Sequence, residues 1–125
     1  MGNRLAGKKA LIYGGGTGIG LACAEAMVRE GAAIFISGRR EAVLREAVQE
    51  MKQHGKADFA AGDATVAADV QRVTDAAVRF MGGLDTILVS AGAGGRTPIF
   101  DTPVEEFQRI IDHSLLPAFL AMRLG

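Results

Sequence analysis

The feature that most constrains the fold of this chain is a glycine-rich turn between a short apolar run and a helical pattern. Residues 8–13 are predicted to form a short strand whose last four residues are apolar, and residues 14–20, Gly-Gly-Gly-Thr-Gly-Ile-Gly, follow it directly. From Gly18 onward the apolar residues repeat with a helical period, until Gly31 provides a stop signal. A strand that ends in glycines and opens a helix offers unpaired backbone N–H groups, and the helix dipole adds partial positive charge. The turn therefore predicts an anion-binding site.

Strands and helices continue to alternate along the chain. Apolar runs at residues 33–37, 57–61 and 84–90 predict three more strands, and Thr65 is expected to cap the helix after the third. Strands that are continuously apolar are typical of a parallel sheet covered on both faces. With right-handed crossovers, the sequence predicts one α/β domain across residues 1–125, a Rossmann-type parallel sheet of four βα units with strand order 3-2-1-4.

A fourth helix is indicated by a capping box at residues 102–105, Thr-Pro-Val-Glu, with proline at the first helical position. Phe107 and Leu115 belong to the apolar face of this helix. Pro117 is expected to kink it, because proline lacks an N–H group and clashes with the carbonyl of His113.

Composition and charge exclude several classes of partner. Fourteen basic and fourteen acidic residues cancel, which argues against nucleic acid and anionic membranes as partners. No apolar run is long enough to span a membrane, and the N-terminus lacks the apolar core of a signal peptide. The single cysteine, Cys23, fits a reducing compartment, so a cytoplasmic location is expected. No cluster of His, Cys, Asp and Glu has the spacing of metal ligands, and no metal is expected.

The glycine spacing narrows the identity of the anion. Gly14, Gly18 and Gly20 form the pattern G-x-x-x-G-x-G, which differs from the common dinucleotide pattern G-x-G-x-x-G. A P-loop is excluded, because Leu21 and Ala22 stand where lysine and a hydroxyl residue are required. The glycines alone are compatible with a tight turn that only packs a helix on a strand, but the strand-to-helix context favours nucleotide binding.

The end of the second strand indicates which dinucleotide is preferred. An acidic side chain that would bind a ribose 2′-OH is absent there, and Arg39 and Arg40 follow Gly38 instead. The two arginines could be a solvated loop, yet positive charge before a helix N-terminus costs roughly 0.3–1 kcal/mol each. A 2′-phosphate bound by Arg39, with help from Ser37 or Arg40, would reverse that cost, so NADP(H) is favoured over NAD(H).

The order of these motifs resembles the short-chain dehydrogenase/reductase family along essentially the whole chain. Residues 13–20 are similar to the family's T-G-x-x-x-G-I-G, with Tyr13 in place of the threonine. Residues 63–65, Asp-Ala-Thr, resemble the segment that meets the adenine ring, and residues 89–92, Val-Ser-Ala-Gly, stand in the place of N-N-A-G. Ser114 occupies the position of the family's catalytic asparagine.

The turn, the second strand end and the resemblance together imply a set of cofactor-binding residues. These are Gly14, Gly16, Thr17, Gly18, Ile19, Gly20, Ser37, Arg39, Arg40, Asp63, Ala64, Ser90, Ala91 and Gly92.

The departures from the family pattern concern catalysis. The family's Tyr-x-x-x-Lys lies beyond the fourth helix, whereas the only tyrosine here is Tyr13, with Thr17 four residues later. A carbonyl that accepts hydride needs a proton donor, so residues 1–125 are expected to represent the cofactor-binding half, truncated before the catalytic half. His113 could be a substitute acid, but an isolated helical histidine is usually a packing or surface residue.

Three hypotheses follow. The first is an NADP-dependent short-chain oxidoreductase that transfers hydride between nicotinamide and a small alcohol or carbonyl, either shortened here or completed by a partner chain. The second is a non-catalytic NADP-binding module. The third is an interaction protein, because the outer edge of the fourth strand and an apolar helix would be left uncovered. A homo-oligomer or an assembly with a partner chain is expected.

Overall fold

The centre of the molecule is a four-stranded parallel sheet. The computed structural model describes residues 2–90, 92 and 97–124. The strands are β1 (Lys9–Tyr13), β2 (Ala33–Gly38), β3 (Ala57–Ala61) and β4 (Thr86–Val89). They lie in the order β3-β2-β1-β4, and every neighbouring pair is parallel. The predicted fold class and strand order are thus confirmed.

Helices cover both faces of this sheet. They are α1 (Gly18–Arg29), α2 (Glu41–Met51), α3 (Ala67–Met81), α4 (Val104–Ser114) and α5 (Leu116–Leu124). A short 3-10 helix, Ile99–Asp101, precedes α4. Helices α1 and α2 pack on one face of the sheet, and α3 and α5 pack on the other.

The central strand shows why a continuous apolar run was needed. Ala10 and Ile12 belong to the core beneath α1 and α2, whereas Leu11 and Tyr13 belong to the core beneath α3 and α5. All four side chains are buried, because successive residues of a strand point to opposite faces and both faces are covered here.

Pro117 has a larger effect than the predicted kink. The helical pattern divides into α4 and α5, with Leu115 between them outside either helix. Pro117 lies in the first turn of α5, where its missing N–H costs nothing because that group has no intrahelical acceptor. The proline thus ends one helix and allows the next to begin.

Two predicted helix caps were wrong, because each hydroxyl forms a different local hydrogen bond. The residue before α3 is Val66, and Thr65 donates its hydroxyl to the carboxylate of Asp63 instead. The residue before α4 is Pro103, so proline precedes the helix rather than occupying its first position. The Thr102 hydroxyl donates to the carbonyls of Thr97 and Pro98, so the predicted capping box does not form.

The predicted apolar face of α4 is present but largely uncovered. No residue of α4 is buried, and Phe107 and Leu115 are 58% and 62% exposed. Among the described residues, no helix is both long and apolar enough to cross a membrane.

Candidate functional site

The glycine turn joins the carboxyl end of β1 to the start of α1. The Gly14 N–H donates to the Ser37 carbonyl at 2.8 Å, and the Gly15 N–H lies 3.3 Å from the same oxygen. These hydrogen bonds tie the turn to the end of β2. Gly14 and Gly18 have φ angles of +76° and +57°, which glycine adopts far more readily than other residues.

Gly20 is required for a different reason. It is buried in the first turn of α1, and a Cβ atom there would overlap the carbonyl oxygen of Gly14 and lie 2.8 Å from the carbonyl carbon. The helix therefore approaches the turn backbone more closely than any side chain would allow. Gly20 shapes the turn from beneath rather than lining its surface.

The N-terminus of α1 is open to an anion. Thr17 precedes the helix without a side-chain cap, and the first turn contains no acidic residue. The Leu21 N–H is bonded to the Thr17 carbonyl, whereas the N–H groups of the three preceding helical residues have no intrahelical acceptor. Thr17 and Gly18 are exposed. The geometry predicted from the glycine spacing is present.

A cleft of about 670 Å³ lies along the carboxyl edge of the sheet, above this helix end. Its volume is within the usual range for small-molecule sites. Twelve of the predicted cofactor-binding residues line it: Gly14, Gly16, Thr17, Gly18, Ile19, Ser37, Arg39, Arg40, Asp63, Ala64, Ser90 and Gly92. Gly20 lies beneath the turn, and Ala91 is outside the described residues.

Ser37 presents an unusual polar group to this cleft. The residue is 1% exposed, and its hydroxyl has no hydrogen-bond partner among the described residues. Burying an unpaired hydroxyl is costly, commonly about 1–3 kcal/mol. A ligand that bonded this oxygen would remove that cost, so Ser37 fits a binding site.

Arg39 and Arg40 are exposed, and neither guanidinium forms an ion pair within the described part of the chain. The nearest acidic residue along the chain, Glu41, pairs with Arg45 at 3.2 Å instead. Arg40 precedes α2 without capping it. Two positive charges therefore stand at the cleft beside a helix N-terminus, and no carboxylate of the described residues lies within ion-pair distance of either.

Asp63 follows β3 and is held in a fixed orientation. Its Oδ1 accepts hydrogen bonds from the Thr65 hydroxyl at 2.6 Å and the Thr65 N–H at 2.9 Å. These bonds lower the pKa of the Asp63 carboxyl below its ordinary value, with smaller contributions from the positive charges of Arg39 and His113. The group is therefore an ionised acceptor at neutral pH, and its Oδ2 has no partner among the described residues.

Sequence reasoning placed Ser114 at a catalytic position, and the structure places it beside the cleft rather than in its lining. Ser114 ends α4 and is exposed, and a Cβ atom on Gly92 would lie 3.8 Å from its Oγ. His113 and Pro117 line the cleft, although the sequence did not place either of them among the cofactor-binding residues. His113 lies on α4 and Pro117 on α5, and no local sequence pattern indicates that both reach the cleft.

Tyr13 is excluded as a group that contacts a ligand through its hydroxyl. The phenol oxygen lies 3.1 Å from the Thr74 hydroxyl and 3.4 Å from the Val70 carbonyl, both on α3. The residue is 3% exposed, and burial raises the pKa of the phenol. No group of three or more potential metal ligands occurs in the described part of the chain.

Comparison with known proteins agrees with this architecture. Residues 8–125 match the family model described as short chain dehydrogenase. The NADP-dependent (R)-specific alcohol dehydrogenase of Lentilactobacillus kefiri is 33% identical over 125 residues, which is 100% of this chain and 50% of that protein.

Solved structures extend the comparison. A short chain dehydrogenase from Mycobacterium smegmatis superposes with a TM-score of 0.93 at 31% identity, over 98% of this chain and 52% of that one. An NAD+-bound xylitol dehydrogenase gives 0.91 at 28% identity, over 97% of this chain and 47% of that one. This chain thus spans about half the length of these proteins.

Proposed function

The chain belongs to the short-chain dehydrogenase family, and from this premise we propose that it is the NADP(H)-binding part of an oxidoreductase. The reaction is hydride transfer between the nicotinamide of the cofactor and a small alcohol or carbonyl compound. The comparisons support a nicotinamide dinucleotide but include both an NADP-dependent relative and an NAD+-bound one. The preference for NADP(H) therefore rests on the residues of this chain.

The observation that carries the proposal is that Arg39 and Arg40 form no ion pair within the described part of the chain. Both line the same cleft as the buried Ser37. Arg39 binds the 2′-phosphate through charge-assisted hydrogen bonds, and Ser37 and Arg40 assist. A 2′-OH in the same place would leave these charges uncompensated. The Ser37 hydroxyl, which has no hydrogen-bond partner among the described residues, would gain one from a phosphate or ribose oxygen of the cofactor.

The remaining residues hold the rest of the dinucleotide. The open N-terminus of α1, with the turn from Gly14 to Gly20, binds the pyrophosphate through backbone N–H groups. Asp63 and Ala64 contact the adenine ring. Ser90 and Gly92, together with Ala91, which lies outside the described residues, bound the other end of the cleft.

Bound NADP(H) supplies or accepts the hydride, and a second group must move the proton of the alcohol or carbonyl. Tyr13 does not, because its hydroxyl is buried against α3. The Ser114 hydroxyl, which lies near Gly92, is too weak an acid to be that group. We infer that the proton donor lies outside residues 1–125.

Isothermal titration calorimetry tests the cofactor assignment on the protein at its natural length. Charge-assisted hydrogen bonds contribute about 1.5–3 kcal/mol, so Arg39→Ala should weaken NADPH binding about 10- to 150-fold and spare NADH. Arg45→Ala is the matched control, because Arg45 is exposed on α2, pairs with Glu41 and does not line the cleft. Equal affinities of the wild type for NADPH and NADH, or equal losses in the two variants, would contradict the assignment.

Self-association is proposed as a second property of this protein. Phe107 and Leu115 on and after α4, and Phe119 and Met122 on α5, are between 54% and 79% exposed. Contiguous apolar side chains at the surface are typical of protein interfaces. Sedimentation analysis should show an oligomer that Phe107→Asp weakens, while a monomeric wild type would contradict this proposal.

A cytoplasmic location is proposed from the cysteine usage alone. Cys23 is half-buried and free, and it is the only cysteine in the sequence. A fold without disulfides suits a reducing compartment. Fractionation of cells that express the natural protein tests this, and recovery from an oxidising compartment would contradict it.

A further inference from the structure

His113 is a polar residue in the cleft that the proposed function does not use. It lies in the last turn of α4, and its half-buried ring lines the cleft together with Asp63, Ala64 and Pro117. The positive charge of His113 is the smallest of the causes that lower the pKa of the Asp63 carboxyl, after the Thr65 hydrogen bonds and the charge of Arg39. The geometric observation is that both side chains line the same cleft.

The hydrogen bond of the imidazole fixes its tautomer. Nδ1 lies 2.8 Å from the Arg109 carbonyl, one turn back on the same helix. A carbonyl only accepts, so Nδ1 must carry a hydrogen and donate it. In the neutral ring Nε2 is then unprotonated, and it is the polar atom of the ring that is left to accept a hydrogen bond from a ligand.

Asp63 complements this arrangement. Its Oδ1 is occupied by both hydrogen bonds from Thr65, and Oδ2 remains. Asp63 and His113 line the same cleft, and the atom that each has left, Oδ2 and Nε2, is a hydrogen-bond acceptor. The ligand group that fits two acceptors is one nitrogen with two hydrogens, as in the exocyclic amino group of a 6-aminopurine. A 6-oxopurine has an oxygen there, which would face the carboxylate and the imidazole nitrogen without a hydrogen between them.

We propose that His113 is a second specificity residue for the base of the dinucleotide, with its Nε2 accepting a hydrogen bond from the 6-amino group beside Asp63. This inference rests on the proposed binding of NADP(H) and adds a selection against dinucleotides that carry a 6-oxopurine. This hydrogen bond to the base does not require His113 to take part in catalysis.

The experiment measures binding of NADPH and of its hypoxanthine analogue by calorimetry, on the protein at its natural length. His113→Phe keeps a flat ring without the acceptor. Losing one neutral hydrogen bond should weaken NADPH binding about 2- to 12-fold and leave the affinity for the hypoxanthine analogue nearly unchanged. The ratio of the two affinities should therefore fall by the same factor. His113→Gln places an amide oxygen near the position of Nε2, and it should restore most of the preference.

His54→Phe is the matched control, because it replaces the only other histidine, which lies near the end of α2 and does not line the cleft. This variant should preserve the preference in full. Equal weakening of both dinucleotides by His113→Phe indicates a structural role and overturns the inference, as does an unchanged preference in that variant. A wild type that binds NADPH but does not discriminate overturns this inference alone, whereas one that binds neither dinucleotide overturns the proposed function as well.

Discussion

Gly20→Ala should destabilise the fold and weaken cofactor binding, although alanine is the better helix former. In an ordinary helix position, replacing glycine by alanine stabilises by about 1 kcal/mol. Here the added Cβ would overlap the Gly14 carbonyl oxygen and lie 3.2 Å from Cα of Gly15. Both neighbours are backbone, and the Gly14 N–H is bonded to the Ser37 carbonyl at 2.8 Å, so no side-chain rotation relieves the overlap.

The expected magnitude follows from these opposing effects. Overpacking commonly costs about 1–3 kcal/mol, and contact with a bonded backbone belongs at the upper end. Subtracting the gain in helix propensity leaves a net loss of about 2 kcal/mol. For a domain of this size that corresponds to a fall in Tm of roughly 6–12 °C. Because the overlap displaces the turn from the start of α1, NADPH affinity should also fall by about tenfold or more.

Gly18 provides the control within the same turn. A Cβ there would meet no atom of the described residues within 4 Å, but φ is +57°, so the difficulty is conformational rather than steric. Gly18→Ala should cost about 1 kcal/mol, and Gly18→Asn should cost less, because asparagine tolerates the left-handed region. Gly20→Asn should not be more stable than Gly20→Ala, because its Cβ overlaps the Gly14 backbone in the same way. Circular dichroism melts and calorimetry measure both effects, and a Gly20→Ala variant that melts at or above the wild-type temperature would refute the packing explanation.

Three further outcomes are expected. Ser37→Ala should leave Tm unchanged or raise it, because it removes a buried unpaired hydroxyl, and yet it should weaken NADPH binding; a marked fall in Tm in differential scanning calorimetry would contradict this. Tyr13 is the only tyrosine and there is no tryptophan, so ultraviolet titration should show its phenol ionising above the ordinary pKa, because burial disfavours the charged form. The stability that the neutral Tyr13 phenol contributes is therefore fully present below about pH 10 and is lost as the pH rises above that. Ionisation of the phenol at the ordinary pKa would contradict its buried position. Gly82 ends α3 with φ of +76°, so in chemical denaturation Gly82→Ala should lose about 1 kcal/mol of unfolding free energy and Gly82→Asn less, whereas equal stability of all three would contradict the left-handed cap.

The fold could be predicted from the sequence because its main determinants are local and periodic. β3 was predicted as residues 57–61 and is observed as Ala57–Ala61, and the strand order follows from right-handed crossovers between consecutive units. The fourth strand was predicted at residues 84–90 and is shorter, Thr86–Val89. Most of the cleft was also predictable, because the carboxyl ends of parallel strands meet at one edge of the sheet.

The features that could not be predicted depend on a choice between two hydrogen-bond partners or on how distant elements pack together. Thr65 had two available partners, the start of α3 and Asp63, and the hydrogen bond to the carboxylate forms. The orphaned hydroxyl of Ser37 depends on how β2 is buried. His113 on α4 and Pro117 on α5 both line the cleft, and no spacing in the sequence indicates that placement.

The position of β1 between β2 and β4 has a consequence for the order in which the molecule assembles. Ala10 pairs with Ile34 on one side, a near neighbour along the chain, and with Thr86 on the other. A loop about three times as long costs about 1 kcal/mol more to close, so β4 is the strand that chain entropy disfavours most. The glycine turn, Ser37 and Asp63 can therefore come together before Ser90 arrives. A ligand that spans the cleft binds only when β4 is in place and therefore stabilises the pairing of that strand. Amide hydrogen exchange should consequently slow the most in β4 when NADPH binds.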